Sequence, residues 1–149
     1  MDAKELERFV NEYVKALNSQ NVDEIERYHA DNSETVSAGQ PGRGLGRAER
    51  KGYFAERQQA FPDFRMTASK INADQKTGAV TFDWQITATH KGHFKGVPAT
   101  NKKVTHHGTT ELVVENGKIV REISYQDLAD FMKQLGVQAP KQPPYGKRP

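Results

Sequence analysis

Apolar side chains near the beginning of the chain recur at the spacing of an α-helix. Over residues 6–17 they follow the i, i+3, i+4, i+7 pattern of a helix that buries one face. Asp2, with Glu5 three residues later, is a capping-box sequence and predicts where this helix begins. Asn21 is a suitable N-cap for a second, shorter helix. A third helix is predicted over residues 47–60, and it is expected to end there because Pro62 follows.

Further along the chain, apolar and polar residues alternate in the manner of β-strands. The alternation predicts strands over residues 64–73, 79–90, 102–115 and 118–125. Asn116-Gly117, between the last two, is typical of a two-residue type I′ hairpin turn. In the last strand we expect Ile119 and Ile123 to share one face. A final short helix is predicted over residues 127–135.

Two stretches rich in glycine or proline lie outside these elements. Residues 37–46 are predicted to form a loop. Its glycines lack the spacing of a dinucleotide-binding fingerprint, and no clearly alternating strand precedes it. Residues 137–149 hold four of the seven prolines and predict an extended tail. We therefore expect a single domain over residues 1–136, followed by the tail. Helices followed by strands favour an α+β fold with an antiparallel or mixed sheet.

Composition and charge exclude several classes of function. The chain has no cysteine, which excludes disulfides, thiolate metal sites and cysteine nucleophiles. Its net charge is +3, but four bases and no acids follow Asp130, so residues 1–130 carry a net charge of −1. A basic face for nucleic acid is therefore not expected on the folded body. No apolar run approaches the length of a membrane span, and the N-terminus has no signal-peptide core, so we expect a cytoplasmic protein.

Histidines and lysines are concentrated in one part of the strand region. Between Asp83 and Glu111 the sequence contains four lysines, four of the five histidines and no acid. This stretch is either a solvated hairpin tip or an electropositive entrance that favours an anionic or enolisable ligand. Adjacent residues of a strand point to opposite faces, so His106 and His107 are not expected to bind one metal ion. We predict neither a metal site nor a cofactor.

Four motifs in the second half of the chain resemble those of a known family. They are Phe61-Pro62-Asp63-Phe64, the run from Thr89 to Thr100, Asn116-Gly117-Lys118-Ile119-Val120, and Asp127 followed by Gln134-Leu135-Gly136. Together they resemble the SnoaL-like polyketide cyclase (ester cyclase) family, within the nuclear-transport-factor-like and ketosteroid-isomerase-like superfamily. The resemblance extends over most of residues 6–136. It implies a cone-shaped, curved mixed sheet wrapped around N-terminal helices and enclosing a pocket, in a protein that forms homodimers.

The same resemblance implies an activity. In such cyclases the aspartate at the position of Asp127 is the acid/base, which removes a proton from a carbon between two carbonyl groups without a cofactor. The substrate would be a hydrophobic, polyketide-like or other carbonyl compound. From the residues alone, capping the last helix is the favoured role of Asp127. Because one fold supports many functions, a non-catalytic binding protein and an epoxide hydrolase or dehydratase are the alternatives.

Alternation along the strands suggests further site residues. It places His106 on the apolar face of its strand, where the imidazole could polarise a carbonyl group, and a bulge would bring His107 there instead. Trp84 is expected in the cavity wall, since a lone tryptophan is usually well buried. His90 shares a face with Trp84 by the same alternation. Tyr125 lies close to the aspartate motif. The predicted catalytic residues are Asp127 and His106, and the predicted substrate contacts are Trp84, His90, His107 and Tyr125.

Overall fold

Four helices and five strands make up the part of the chain that the computed structural model describes, residues 1–37 and 44–137. In chain order the elements are α1 (Ala3–Ser19), α2 (Val22–Glu26), β1 (His29–Ser37), α3 (Arg47–Ala60), β2 (Arg65–Asp74), β3 (Ala79–Thr89), β4 (Lys103–Glu115), β5 (Lys118–Gln126) and α4 (Leu128–Gln134). The three predicted N-terminal helices, four predicted strands and last helix are confirmed. Most of the predicted loop and nearly all of the predicted tail lie outside the described residues.

The strands form one curved sheet in the order β1-β5-β4-β3-β2. β1 runs parallel to β5, and the other neighbouring pairs are antiparallel. A strand that no clear alternation marks, β1, precedes the glycine-rich loop. This strand carries few apolar residues and has a sheet neighbour on one side only, so its sequence lacks the alternation that marks the others. The mixed sheet of the predicted α+β fold is confirmed.

The first helix is fixed at both ends. Asp2 Oδ1 accepts a hydrogen bond from the Glu5 amide at 2.8 Å, and the Asp2 amide donates to Glu5 Oε1 at 3.0 Å, which confirms the capping box. Near the other end, the side chain of Asn18 exchanges hydrogen bonds of 2.9 and 2.7 Å with the backbone of Met66 in β2. α1 thereby lies across the inner face of the sheet, against which its apolar side chains are buried.

A β-bulge in β5 decides which of its side chains face the helices. Val113 of β4 pairs with Arg121, whereas Val114 pairs with Ile119, so β5 contains one extra residue here. Ile119 and Glu122 are both buried as a result. The expectation that Ile119 and Ile123 share a face was wrong, because the bulge reverses the alternation between them.

The hairpin that joins β4 and β5 has the predicted turn. Asn116 and Gly117 have φ values of 51° and 75°, and a type I′ turn requires positive φ at both positions. At the other end of β5, Asp127 is the N-cap of α4, and Gly136, with φ of 78°, follows the helix.

No helix within residues 1–37 and 44–137 is long and apolar enough to cross a membrane.

Candidate functional site

An interior cavity of about 590 Å³ lies between α3, α4 and the inner face of the sheet. This volume suits a small organic molecule. Aromatic side chains form much of the wall; they are Tyr53, Phe54, Phe61, Phe64, Phe82, Trp84, Phe94 and Phe131. A ligand that fits this wall has a substantial apolar or aromatic surface.

Trp84 forms part of the cavity wall at the centre of the sheet. It lies opposite Gly108 of β4, where a Cβ atom would overlap the indole ring. The glycine therefore makes the space that the indole occupies. The Trp84 Nε1–H donates to Thr110 Oγ1 at 2.9 Å, and Thr110 is also within 2.9 Å of the Ser124 hydroxyl. This buried tryptophan is thus held by both packing and a hydrogen bond.

His106 is the buried imidazole on the same wall. Its ring lies between those of Trp84 and Phe131, with ring centroids 5.5 and 5.2 Å away. His106 Nε2 is 2.9 Å from Gln126 Oε1, and Gln126 also lines the cavity. With the amide oxygen accepting, the imidazole carries a proton on Nε2. This arrangement gives the cavity a hydrogen-bond donor whose orientation is fixed by its neighbours.

Glu122 places a buried carboxyl group on the cavity wall. Its Oε2 accepts a hydrogen bond from the Tyr13 hydroxyl at 2.9 Å, and its Oε1 accepts one from Thr35 Oγ1 at 3.2 Å. Burial raises the pKa of Glu122, although these hydrogen bonds and the charges of Arg50 and Arg57 oppose that shift. A carboxyl group with a raised pKa is suited to take up and release protons closer to neutral pH.

Behind Glu122, a chain of hydrogen bonds continues away from the cavity. The Tyr13 hydroxyl lies 2.9 Å from His29 Nε2, and His29 Nδ1 lies 2.8 Å from Ser33 Oγ. Burial lowers the pKa of His29 to about 3, with the nearby charges of Arg50 and Arg47 as further causes. The imidazole is therefore neutral at physiological pH.

Arg57 adds a buried cation to the cavity wall. Its guanidinium lies 3.8 Å from the ring centroid of Phe64 and 4.7 Å from that of Phe54. One terminal nitrogen donates to the Leu17 carbonyl at 3.2 Å, whereas Nε has no hydrogen-bond partner among the described residues. Burial lowers the pKa of Arg57. A cation in this position can stabilise negative charge that develops on a substrate oxygen.

A comparison with known protein families identifies the chain. The model of the SnoaL-like polyketide cyclase family matches residues 7–135. The chain belongs to this family. Among curated proteins, no sequence matches the chain.

Solved structures of SnoaL-like and related proteins have the same fold. AclR from Streptomyces galilaeus, described as a candidate hydroxylase, has a TM-score of 0.80 and 24% identity, covering 91% of this chain and 98% of its own. IdmH from Streptomyces antibioticus, described as a candidate polyketide cyclase, has a TM-score of 0.75 and 23% identity, covering 89% and 99%. A SnoaL-like protein from Jannaschia has a TM-score of 0.78 and 15% identity, covering 93% and 94%. At these identities, the likeness is one of fold.

In the structure of this SnoaL-like chain, the site residues predicted from the sequence do not all lie in one place. Trp84 and His106 both line the interior cavity. Asp127 is exposed and caps α4, and its Oδ1 accepts a hydrogen bond from the Asp130 amide at 3.0 Å. Its neighbours along the chain, Gln126 and Leu128, line the interior cavity, but Asp127 does not.

Three of the predicted residues lie together on the opposite face of the sheet. Asp127, His107 and Tyr125 line an outer groove, and Trp84 contributes to the walls of both the groove and the cavity. The His107 ring is within 3.0 Å of Gln85 Oε1, and Tyr125 is 50% exposed. His90 lines neither site. It is fully buried, its ring is stacked on Phe61, and its Nδ1 is 3.1 Å from Thr100 Oγ1.

The two buried ionisable residues Glu122 and Arg57 of the cavity wall were not predicted from the sequence. Glu122 lies beyond the bulge in β5, and simple alternation from Ile119 places it on the outer face. Arg57 belongs to a helix with many charged residues, of which it is one of few that are buried. The sequence offers one signal for Arg57, which is that Phe54 precedes it by three positions and Phe61 follows it by four.

Proposed function

We propose that this SnoaL-like protein is a cofactor-free enzyme that moves a proton on an enolisable carbonyl compound held in the interior cavity. The reaction would be an intramolecular aldol ring closure or an isomerisation. The observation that carries the proposal is the aromatic cavity of about 590 Å³ with a fixed imidazole and a buried carboxyl group on its wall. These polar groups favour chemistry over the alternative of binding alone.

The cavity wall supplies the groups that such a reaction needs. The aromatic rings of Trp84 and Phe131 offer flat surfaces to a hydrophobic substrate, with His106 between them. The His106 Nε2–H can donate to a substrate carbonyl oxygen in place of Gln126. When a base removes the proton between two carbonyl groups, the C–H electron pair forms an enolate. His106 and Arg57 would stabilise the negative charge on the enolate oxygen.

The resemblance to polyketide cyclases assigns the acid/base to Asp127, and this stays a prediction. Asp127 caps the helix that brings Leu128 and Phe131 to the cavity wall. To act directly on a substrate in the cavity, its carboxylate would have to leave the Asp130 amide and turn inward. The homodimer and the cytoplasmic location also stay predictions.

Proton exchange on a simple diketone tests the proposed function. We expect the protein to accelerate deuterium uptake at the acidic carbon of 1-phenylbutane-1,3-dione, followed by NMR, above the rate in buffer. His106→Ala should slow the enzymatic exchange by roughly 10²–10³, the usual cost of removing one hydrogen-bond donor to a developing oxyanion. His93→Ala removes an exposed histidine outside the cavity lining and should leave the rate unchanged. Exchange no faster than in buffer would overturn the proposal.

The same assay tests the prediction for Asp127. Asparagine and aspartate cap helices about equally well, so Asp127→Asn should retain the fold. If Asp127 is the acid/base, this variant should lose exchange by roughly 10²–10⁴. A wild-type rate in a folded Asp127→Asn variant would limit the residue to capping α4.

A further inference from the structure

Three carboxyl groups line the cavity in the described part of the chain, and they differ in burial. Glu49 and Glu56 are exposed, whereas Glu122 is 6% exposed. We propose that Glu122 is the acid/base that takes up and returns the substrate proton in the cavity. This inference rests on the function proposed above and adds the residue that performs its central step.

The bulge in β5 gives Glu122 its position. Glu122 pairs with Leu112, whose side chain is fully buried on the inner face of the sheet. An unbroken alternation from Ile119 would instead turn Arg121 inward. The bulge therefore exchanges a cation for a carboxyl group at the cavity wall. Bulges often redirect a side chain beside an active site.

The hydrogen bonds around Glu122 are compatible with both of its protonation states. With Glu122 ionised, the Tyr13 hydroxyl donates to Oε2, His29 Nε2–H donates to Tyr13, and the Ser33 hydroxyl donates to His29 Nδ1. With Glu122 protonated, its O–H donates to Tyr13, Tyr13 donates to His29 Nε2, and Nδ1–H donates to Ser33. Every bond is kept, while the Tyr13 and Ser33 hydroxyl hydrogens change direction and the neutral imidazole changes tautomer. An acid/base must pass through both states in each turnover, and this chain supports each of them.

Charged and titratable groups approach Glu122 from three directions. Tyr13 of α1 and His29 of β1 belong to the hydrogen-bonded chain, and the positive charges of Arg50 and Arg57 come from α3. Arg50 is already paired with Glu26 through two bonds of 2.7 and 2.8 Å. Burial outweighs these charges and keeps the pKa of Glu122 above its ordinary value. The carboxylate is consequently a stronger base than one in water.

The proposed step is balanced without a cofactor. The Glu122 carboxylate takes the proton from the carbon between two carbonyl groups. The C–H electron pair becomes the carbon–carbon double bond of the enolate, and the π electrons of the adjacent carbonyl group move to its oxygen. In ring closure, the enolate carbon forms a bond to a second carbonyl carbon, whose π electrons move to its oxygen. That oxygen then takes the proton back from Glu122, which returns to its ionised state. In isomerisation, the proton returns to a different carbon.

Glu122→Gln tests the assignment in the full-length protein. Glutamine keeps the shape and can still accept hydrogen bonds from Tyr13 and Thr35, but it cannot accept a proton from carbon. We expect deuterium uptake by 1-phenylbutane-1,3-dione to fall by roughly 10²–10⁴. Glu111→Gln is the matched control, because Glu111 lies on the outer face of β4 and does not line the cavity. It should retain the wild-type rate.

Tyr13→Phe gives an independent test if Glu122→Gln fails to fold. The Tyr13 hydrogen bond lowers the pKa of Glu122, so its loss should raise the pH at which the exchange rate reaches half its maximum. A wild-type rate in folded Glu122→Gln, or an unchanged pH profile in Tyr13→Phe, would overturn the assignment while the proposed function stands. A wild-type protein that does not accelerate exchange would overturn the proposed function itself.

Discussion

Replacing Glu26 with leucine is expected to lower the free energy of unfolding by about 3–5 kcal/mol. Glu26 and Arg50 form a buried ion pair, 4% and 0% exposed, through two hydrogen bonds of 2.7 and 2.8 Å. Without Glu26, the Arg50 guanidinium stays buried with its charge uncompensated. The pair joins α2 to α3, the helix that supplies Tyr53, Phe54 and Arg57 to the cavity wall. Urea denaturation measures the effect.

An exposed ion pair provides the control for this stability prediction. Glu24→Gln breaks the pair between Arg27 and Glu24, whose side chains are 74% and 44% exposed, and should cost at most about 1 kcal/mol. Adding Arg50→Met to Glu26→Leu should recover much of the loss, because both buried charges are then removed. A cost for Glu26→Leu no larger than that of Glu24→Gln would contradict the prediction.

Acid is expected to destabilise the protein largely through His29. The pKa of His29 in the fold is about 3, below its ordinary value of 6.5, so the unfolded chain binds the proton more tightly. The stability that neutral His29 contributes is complete above pH 6.5 and is lost as the pH falls towards 3. The slope is about 1.4 kcal/mol per pH unit, and the total is on the order of 5 kcal/mol.

Urea denaturation at pH 7, 6 and 5 tests this slope. His29→Gln should lose stability less steeply than the wild type over this range, because the titrating group is gone. The lowered pKa of His90 acts in the same direction as that of His29, and the raised pKa of Glu122 acts in the opposite direction. Comparing the two slopes removes the contribution of His90, which both proteins share. His107→Gln, which removes an exposed ring, should keep the wild-type slope, and equal slopes in all three proteins would exclude His29 as the cause.

The fold was largely predictable because its local signals agree with one another. The apolar stripe of α1, its capping box at Asp2 and Glu5, and the Asn116-Gly117 turn each specify one structure, and each was confirmed. β1 was missed because its formation depends on pairing with a strand that is distant in the sequence. Its residues pair in parallel with β5, more than 80 positions later, and their own pattern is weak.

The polar part of the cavity was less predictable than the apolar part. Alternation correctly placed Trp84 and His106 on the inner face, since β3 and β4 pair without interruption over that stretch. Glu122 was missed because one extra residue in β5 reverses the alternation, and the sequence alone does not mark the bulge. For Asp127, the motif identified the family, but the side chain's direction depends on how the strand meets α4.

NMR can show whether a bound diketone occupies the interior cavity. The chain has one tryptophan and five histidines, so their NMR signals can be assigned and followed as 1-phenylbutane-1,3-dione is added. If the interior cavity is the site, the Trp84 indole N–H and the His106 ring signals should shift in a saturable manner, while those of His107 and Tyr125 stay in place. Shifts of the His107 and Tyr125 signals, with the His106 signals unchanged, would place the ligand in the outer groove beside Asp127. That result would contradict the assignment of the interior cavity as the site.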